Sequence, residues 1–219
     1  MVDGGRAQRF AEICLTRGFQ PVQAGRPGRP PNPRTPAEMS AALASSLASG
    51  DFTPFLPMIL PIDRRRATYE NRFVVPEASI AVGEVASSAG AFTLMMFPVA
   101  GLKFPYLVVG RKGDVDLGRV FKGQWVQFES IDFDSRFAVR SDDTRAAVML
   151  IDQGMMQWLL DCDRVNFQLW GGQVFAFVKR KPEKAAEPVE LEVLLRFVDG
   201  FAAHVPEIVR SEYAWPKPQ

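Results

Sequence analysis

At 219 residues, with 47% apolar and 23% charged side chains, the chain has the composition of a soluble globule: one well-packed domain with an additional arm. A formal charge of +1 gives no global field that would gather nucleic acid or anionic lipid, and nucleic acid is not an expected partner. Cys14 and Cys162 match no metal or redox spacing, no charged-then-apolar leader opens the chain, and its longest apolar runs are broken by Pro98, Pro105 or Lys103; the expectation is a reduced, cytoplasmic protein without a membrane span.

Charge is uneven along the chain. Residues 1–66 hold nine Arg against five acids, whereas 67–219 hold seventeen bases against twenty acids. This divides the chain into an N-terminal part of helices, Pro-rich linker and apolar cover over 1–66, and a single α+β domain over 67–219.

Phe10, Ile13 and Cys14 predict an amphipathic helix over 6–17, stopped by Gly18. Residues 21–36 turn to Pro, Gly, Arg and Asn, which favours extended, hydrated backbone. Within them Gly25-Arg26-Pro27-Gly28-Arg29-Pro30 resembles half of a minor-groove AT-hook but lacks its Arg-Gly-Arg-Pro core, so a plain linker is the simpler reading. Met39, Leu43 and Leu47 predict a short helix ending at Gly50. Residues 52–62, with Phe52 and Phe55, are apolar but carry Pro54, Pro57 and Pro61, too many lost donors for a helix or a central strand. An extended cover over the core is expected there, or a docking site for a partner. Arg64-Arg65-Arg66 reads as a solvated turn.

From Arg72 strands dominate, over 73–75, 80–85, 92–99 and 104–109, with 92–97 and 106–109 apolar on both parities and so expected to be covered on both faces. The chain turns at 111–113 and pairs back over 124–130. Phe133, Phe137 and Val139 alternate with Asp134, Arg136 and Arg140 as in a half-buried strand. Ser141-Asp142-Asp143-Thr144 opens a helix that Gln153-Gly154 breaks in the middle or divides in two. Gly171-Gly172 predicts a type I′ hairpin that pairs Trp170 with Gln173, Leu169 with Val174, Phe167 with Ala176 and Val165 with Val178. The last six of these form the core face. Trp170, Phe175 and Phe177, with Asn166, Gln168 and Gln173, lie opposite, either roofed by a helix or exposed as an aromatic patch. The stripe Leu191, Leu194, Val198, Phe201, Val205 and Ile208 is that helix. The fold class is therefore α+β: a mostly antiparallel sheet covered by a C-terminal helix, a mid-chain helix and an N-terminal helical and Pro-rich arm.

The run from Glu129 through Phe133-Asp134-Ser135-Arg136-Phe137 to Val139, followed by Arg145, Ala147, Val148, Leu150 and Met155-Met156-Gln157-Trp158-Leu159-Leu160, resembles a bacterial, largely actinobacterial family. It is the domain of unknown function number thirty-one thirty-seven, whose pattern is Glu, three residues, then Phe-Asn-x-Arg-Phe. Arg17-Gly18-Phe19 and the 191–208 helix extend the likeness more loosely. Asp134 stands where that pattern has Asn, and Gln153-Gly154 where it has Pro-Arg. The resemblance implies no reaction and no ligand, although some members carry the soluble part on membrane helices.

Two chemistries can be weighed on the residues. A nucleophile needs a base, and the single histidine, His204, sits in the last turns of a helix before Pro206, where the helix dipole suits it without catalysis. Asp132, Asp134, Asp142 and Asp143 form a cluster of carboxylates suited to Mg²⁺ or Ca²⁺ and not to zinc, but Arg136 and Arg140 on the same face would neutralise them as ion pairs, and pairing plus helix capping is the simpler reading; no other cofactor is expected. The expected function is a non-catalytic module that binds a protein partner through Phe52, Phe55, Trp170, Phe175 and Phe177. The alternatives are a metal-assisted hydrolase at the aspartates and a peripheral membrane accessory protein.

Overall fold

The computed structural model describes residues 3–22, 68–87, 90–114, 123–162, 164–180 and 187–215. The predicted linker beyond Val22, the 39–47 helix, Phe52, Phe55 and the 64–66 turn lie outside them.

Among the described residues nine antiparallel strands form one sheet, in the order β1-β2-β3-β4-β9-β8-β5-β7-β6. They are β1 (Gln20–Pro21), β2 (Thr68–Val75), β3 (Ile80–Ser87), β4 (Gly90–Pro98), β5 (Phe104–Arg111), β6 (Gln124–Val126), β7 (Phe137–Ser141), β8 (Asn166–Gly171) and β9 (Gln173–Lys179). Six α-helices accompany them among the described residues: α1 (Asp3–Thr16), α2 (Ile131–Arg136), α3 (Thr144–Leu150), α4 (Gln153–Cys162), α5 (Val189–His204) and α6 (Glu207–Glu212). This is the expected α+β class.

The hairpin register is the one its sequence predicts, with Trp170 opposite Gln173, Leu169 opposite Val174 and Phe167 opposite Ala176. The turn differs. Only Gly171 has positive φ (59°), the pattern of a type II′ turn, in which glycine is required at the first central position alone. Gly172 is needed for a different reason: a Cβ there would stand 2.6 Å from the Leu102 carbonyl oxygen. Leu102 is itself bridged to Ala214, so the turn that meets the hairpin tip is held in place from its other side. Gly172→Ala is expected to cost about 1–3 kcal/mol by overpacking. Gly4→Ala, at a helical site with nothing within 4 Å, is expected to add about 0.5–1 kcal/mol instead; urea unfolding of the two variants checks the contrast.

Both faces of the sheet are buried over its central strands. On the first, Phe73, Val82, Met95, Ala176, Phe167, Val109 and Val139 join one apolar cluster with the helices. α5 seats Phe197 and Phe201 against Phe97 and Phe167, with Trp158 of α4 stacked on Phe197. On the second face a single row of register partners runs across all nine strands: Trp125, Arg140, Val108, Gln168, Phe175, Met96, Ala81, Val74 and Gln20. Phe175, Phe177, Phe92, Leu94 and Met96 are buried there, in keeping with strands that read apolar on both parities. The C-terminal helix therefore does not roof Phe175 and Phe177; it packs on the opposite face, through Phe167.

Three boundaries depart from expectation. Residues 131–136 are helical, not strand, because Ser130 caps them by accepting from the Phe133 N–H and because Phe133 and Phe137, four apart, suit one helical face as well as one strand parity. The C-terminal stripe breaks at Pro206, where a second helix starts; the phase shifts, so Val209 is buried and Ile208 exposed. Of the 124–130 segment only Gln124–Val126 is strand, and it pairs with β7 at the sheet edge. A smaller reading fits: Asp143 caps α3 through its carboxylate on the Ala146 N–H, and Asp152 accepts from Met155 N–H at the start of α4, so the mid-chain helix is two. Pro21, the first residue of the predicted linker, instead belongs to the short edge strand β1, where a missing N–H is tolerated.

Candidate functional site

Arg6, Phe10 and Cys14 recur at four-residue spacing in α1, so the same helical face that buries the phenyl ring and the thiol also buries a guanidinium. Arg6 is 2% exposed. Opposite it, β3 places Glu84 on the core side of the sheet, on the same parity as Val82, and the first turn of α5 supplies Glu190. Arg6 donates from Nη2 to Glu84 Oε1 at 2.8 Å and to Glu190 Oε2 at 3.1 Å, from Nε to Glu84 Oε1 at 3.2 Å, and from Nη1 to the Glu187 carbonyl. Arg164 donates to the other oxygen of Glu190 at 3.3 Å. Asn71 donates to Glu84 Oε2 at 2.6 Å. One guanidinium thus joins α1, the sheet and the start of α5. Buried carboxylates persist only where paired in this way, and Glu190 also gains from the positive end of its own helix.

Asn71 reaches Glu84 because a bulge interrupts the β2–β3 register between Glu70 and Phe73, and because its backbone is left-handed (φ 48°), a conformation that asparagine adopts more readily than most residues. Thr93, across the ladder from Glu84, has a buried hydroxyl without a hydrogen-bond partner. Beside the network opens a cleft of about 390 Å³, lined by Arg6, Ala7, Glu70, Asn71, Glu84 and Arg180. Arg180 stands 3.7 Å from Glu84 Oε1. None of these side chains is marked by a sequence motif. The signals that could have found them are a lone acid on the core parity of an apolar strand and an arginine on the apolar stripe of a helix.

The predicted carboxylate cluster is not assembled. Asp132 and Asp134 lie in the first turn of α2, where Asp134 accepts from the Phe128 N–H at 3.2 Å, and Asp143 is occupied as the α3 cap. Burial raises the Asp142 carboxyl above its ordinary value, with Asp143 adding to the rise and backbone hydrogen bonds opposing it. Among the described residues no three His, Cys, Asp or Glu side chains stand close enough to hold a metal ion. Phe175 and Phe177 are buried, and half-buried Trp170 meets Tyr106 edge-on at 6.4 Å, so these rings do not form an open aromatic patch. His204 stacks on Trp158 at 4.5 Å and bonds the Gly200 carbonyl through Nδ1 at 2.9 Å.

Both cysteines are free. Burial, then the nearby Glu84 charge, pushes the Cys14 thiol up to about 12, and burial pushes Cys162 up to about 11, so neither is a thiolate nucleophile near neutral pH. The sign for stability follows. Above pH 9 Cys14 ionises in the unfolded chain while the folded chain keeps its proton, so the unfolded state binds fewer protons and stability falls with pH until about 12. The slope expected from this one group is about 1.4 kcal/mol per pH unit. Urea midpoints between pH 9 and 10.5 should fall less steeply for Cys14→Ala than for the parent.

The architecture is that of an α+β protein with one broad antiparallel sheet, the helices among the described residues packing on one of its faces. No family model matches the chain, and no curated protein matches it. Among solved structures it is similar to the crystal structure of the mycobacterial trehalose monomycolate transport factor A, TtfA, at 14% identity and a TM-score of 0.53 over 99% of each chain. At that identity the likeness is one of fold. Among the described residues no helix is long and apolar enough to cross a membrane.

Proposed function

We propose that this chain is a non-catalytic accessory module that works in the cytoplasm by holding a protein partner. The observation that carries the reading is a pair of exposed apolar side chains on two packed helices of the helical layer. α3 and α6 pack side by side, tied by Arg145 and Glu212 at 3.9 Å, and expose Val148 (52%) and Ile208 (59%). Branched apolar side chains exposed on two packed helices suit a protein surface that covers them. The state of the polar groups supports the same reading: the one histidine is engaged with Trp158 and Gly200, and both thiols stay protonated. So does the likeness in fold to a protein named as a transport factor. On this reading the chain stands beside the bacterial family number thirty-one thirty-seven on the strength of its 129–139 run, which here forms the Ser130 cap, α2 and the start of β7.

The test is a pull-down from the native cell with the parent and with Val148→Glu/Ile208→Glu. Exposed substitutions of this kind move stability by about 0.5 kcal/mol or less. The double variant is expected to melt like the parent and to lose the captured protein. Equal capture by both chains would remove the α3–α6 surface from the reading.

A further inference from the structure

We propose that the cleft beside Arg6 binds a small zwitterion of the α-amino-acid class, its carboxylate held by Arg180 and its ammonium by Glu70. The charges lining the cleft are two guanidiniums and two carboxylates, and they are not equally engaged. Arg6 and Glu84 are spent on each other and on Glu190 and Asn71, with both side chains 2% exposed. Among the described residues Arg180 makes only the 3.7 Å approach to Glu84 Oε1, too long for a hydrogen bond, and so keeps most of its fork of donors for a ligand. Glu70 is exposed and has no ion-pair partner among the described residues. One positive and one negative group with unused capacity therefore face one cavity.

The balance of charge selects the ligand. A simple anion on Arg180 would meet Glu70 and Glu84 as well, and a simple cation on Glu70 would meet Arg6 and Arg180. A molecule carrying both charges gives each of these two residues an opposite charge and adds no net charge to the cleft. Guanidinium and carboxylate form forked, charge-assisted hydrogen bonds, the geometry Arg180 can offer. A cavity of about 390 Å³ is at the small end of ligand sites, which suits a molecule of amino-acid size. The Arg6 network beneath fixes the floor, since Glu84 is held by Arg6 on one carboxylate oxygen and by Asn71 on the other.

The experiment titrates the full chain calorimetrically with each free α-amino acid, and with the N-acetyl and the carboxamide forms of any that binds. Saturable binding of at least one free amino acid is expected, weakened by about tenfold or more when either charge is blocked. Arg180→Met and Glu70→Gln are each expected to weaken it by about tenfold or more. Glu70 is exposed, so its variant is expected to melt like the parent, and it carries the test should Arg180→Met fold poorly. No binding by any free amino acid, equal binding of a blocked form, or parent-like binding by Glu70→Gln would overturn the proposal.

Discussion

Replacement of Arg6 by methionine is expected to lower the stability of the chain by about 3–5 kcal/mol, measured by urea unfolding. The methionine keeps the apolar stem but leaves Glu190 with Arg164 alone, and Glu84 with Asn71 and a guanidinium 3.7 Å away. Much of the loss is the cost of a buried charge without its partner, not the worth of the pair itself. Adding Glu84→Gln and Glu190→Gln, which removes both charges, should therefore recover part of it. Arg6→Lys should also be destabilised, because an ammonium cannot present the fork that spans two carboxylates and the Glu187 carbonyl. If Arg6→Met unfolds at the parent midpoint, α1 is not tied to the sheet and to α5 through this residue.

Phe177→Ala is expected to cost about 3–5 kcal/mol, as a fully buried phenylalanine cut to a methyl group. Phe177 lies opposite Leu94 on one side and Asn166 on the other, and meets Phe92 edge-on at 6.0 Å. Because α5 packs on the other face, this loss reports on the second face alone. A variant that melts like the parent yet loses a bound protein would turn that face back into a binding surface.

The β8–β9 pairing could be read from the sequence because a hairpin leaves local marks, whereas the partners of the other strands could not. Two glycines between apolar runs set the register of β8 and β9, and strands apolar on both parities announced a sheet buried on both faces. Caps were legible for the same reason, Asp143 standing just before an apolar series. What a residue touches across the fold was not. The four-residue gap from Phe133 to Phe137 suits helix and strand alike, and a capping hydrogen bond from Ser130 decides between them. The spacing of Val205 and Ile208 continues a helical stripe in number but not through Pro206. Arg6, Glu84 and Glu190 are separated by 78 and 184 residues along the chain, and no local pattern marks their meeting. The aspartates drew attention because charges close in sequence are conspicuous; the structure spends two of them on hydrogen bonds to nearby backbone N–H groups.

Site-specific photocrosslinking tests the functional account most directly. A photoreactive phenylalanine is placed at Ile208, on the exposed side of α6, and at Leu15, an equally exposed apolar position on α1. The account predicts that one protein is crosslinked in the native cell from Ile208, is absent from Leu15, and is lost when Val148→Glu is added. No adduct at Ile208, or the same adducts from both positions, would contradict it.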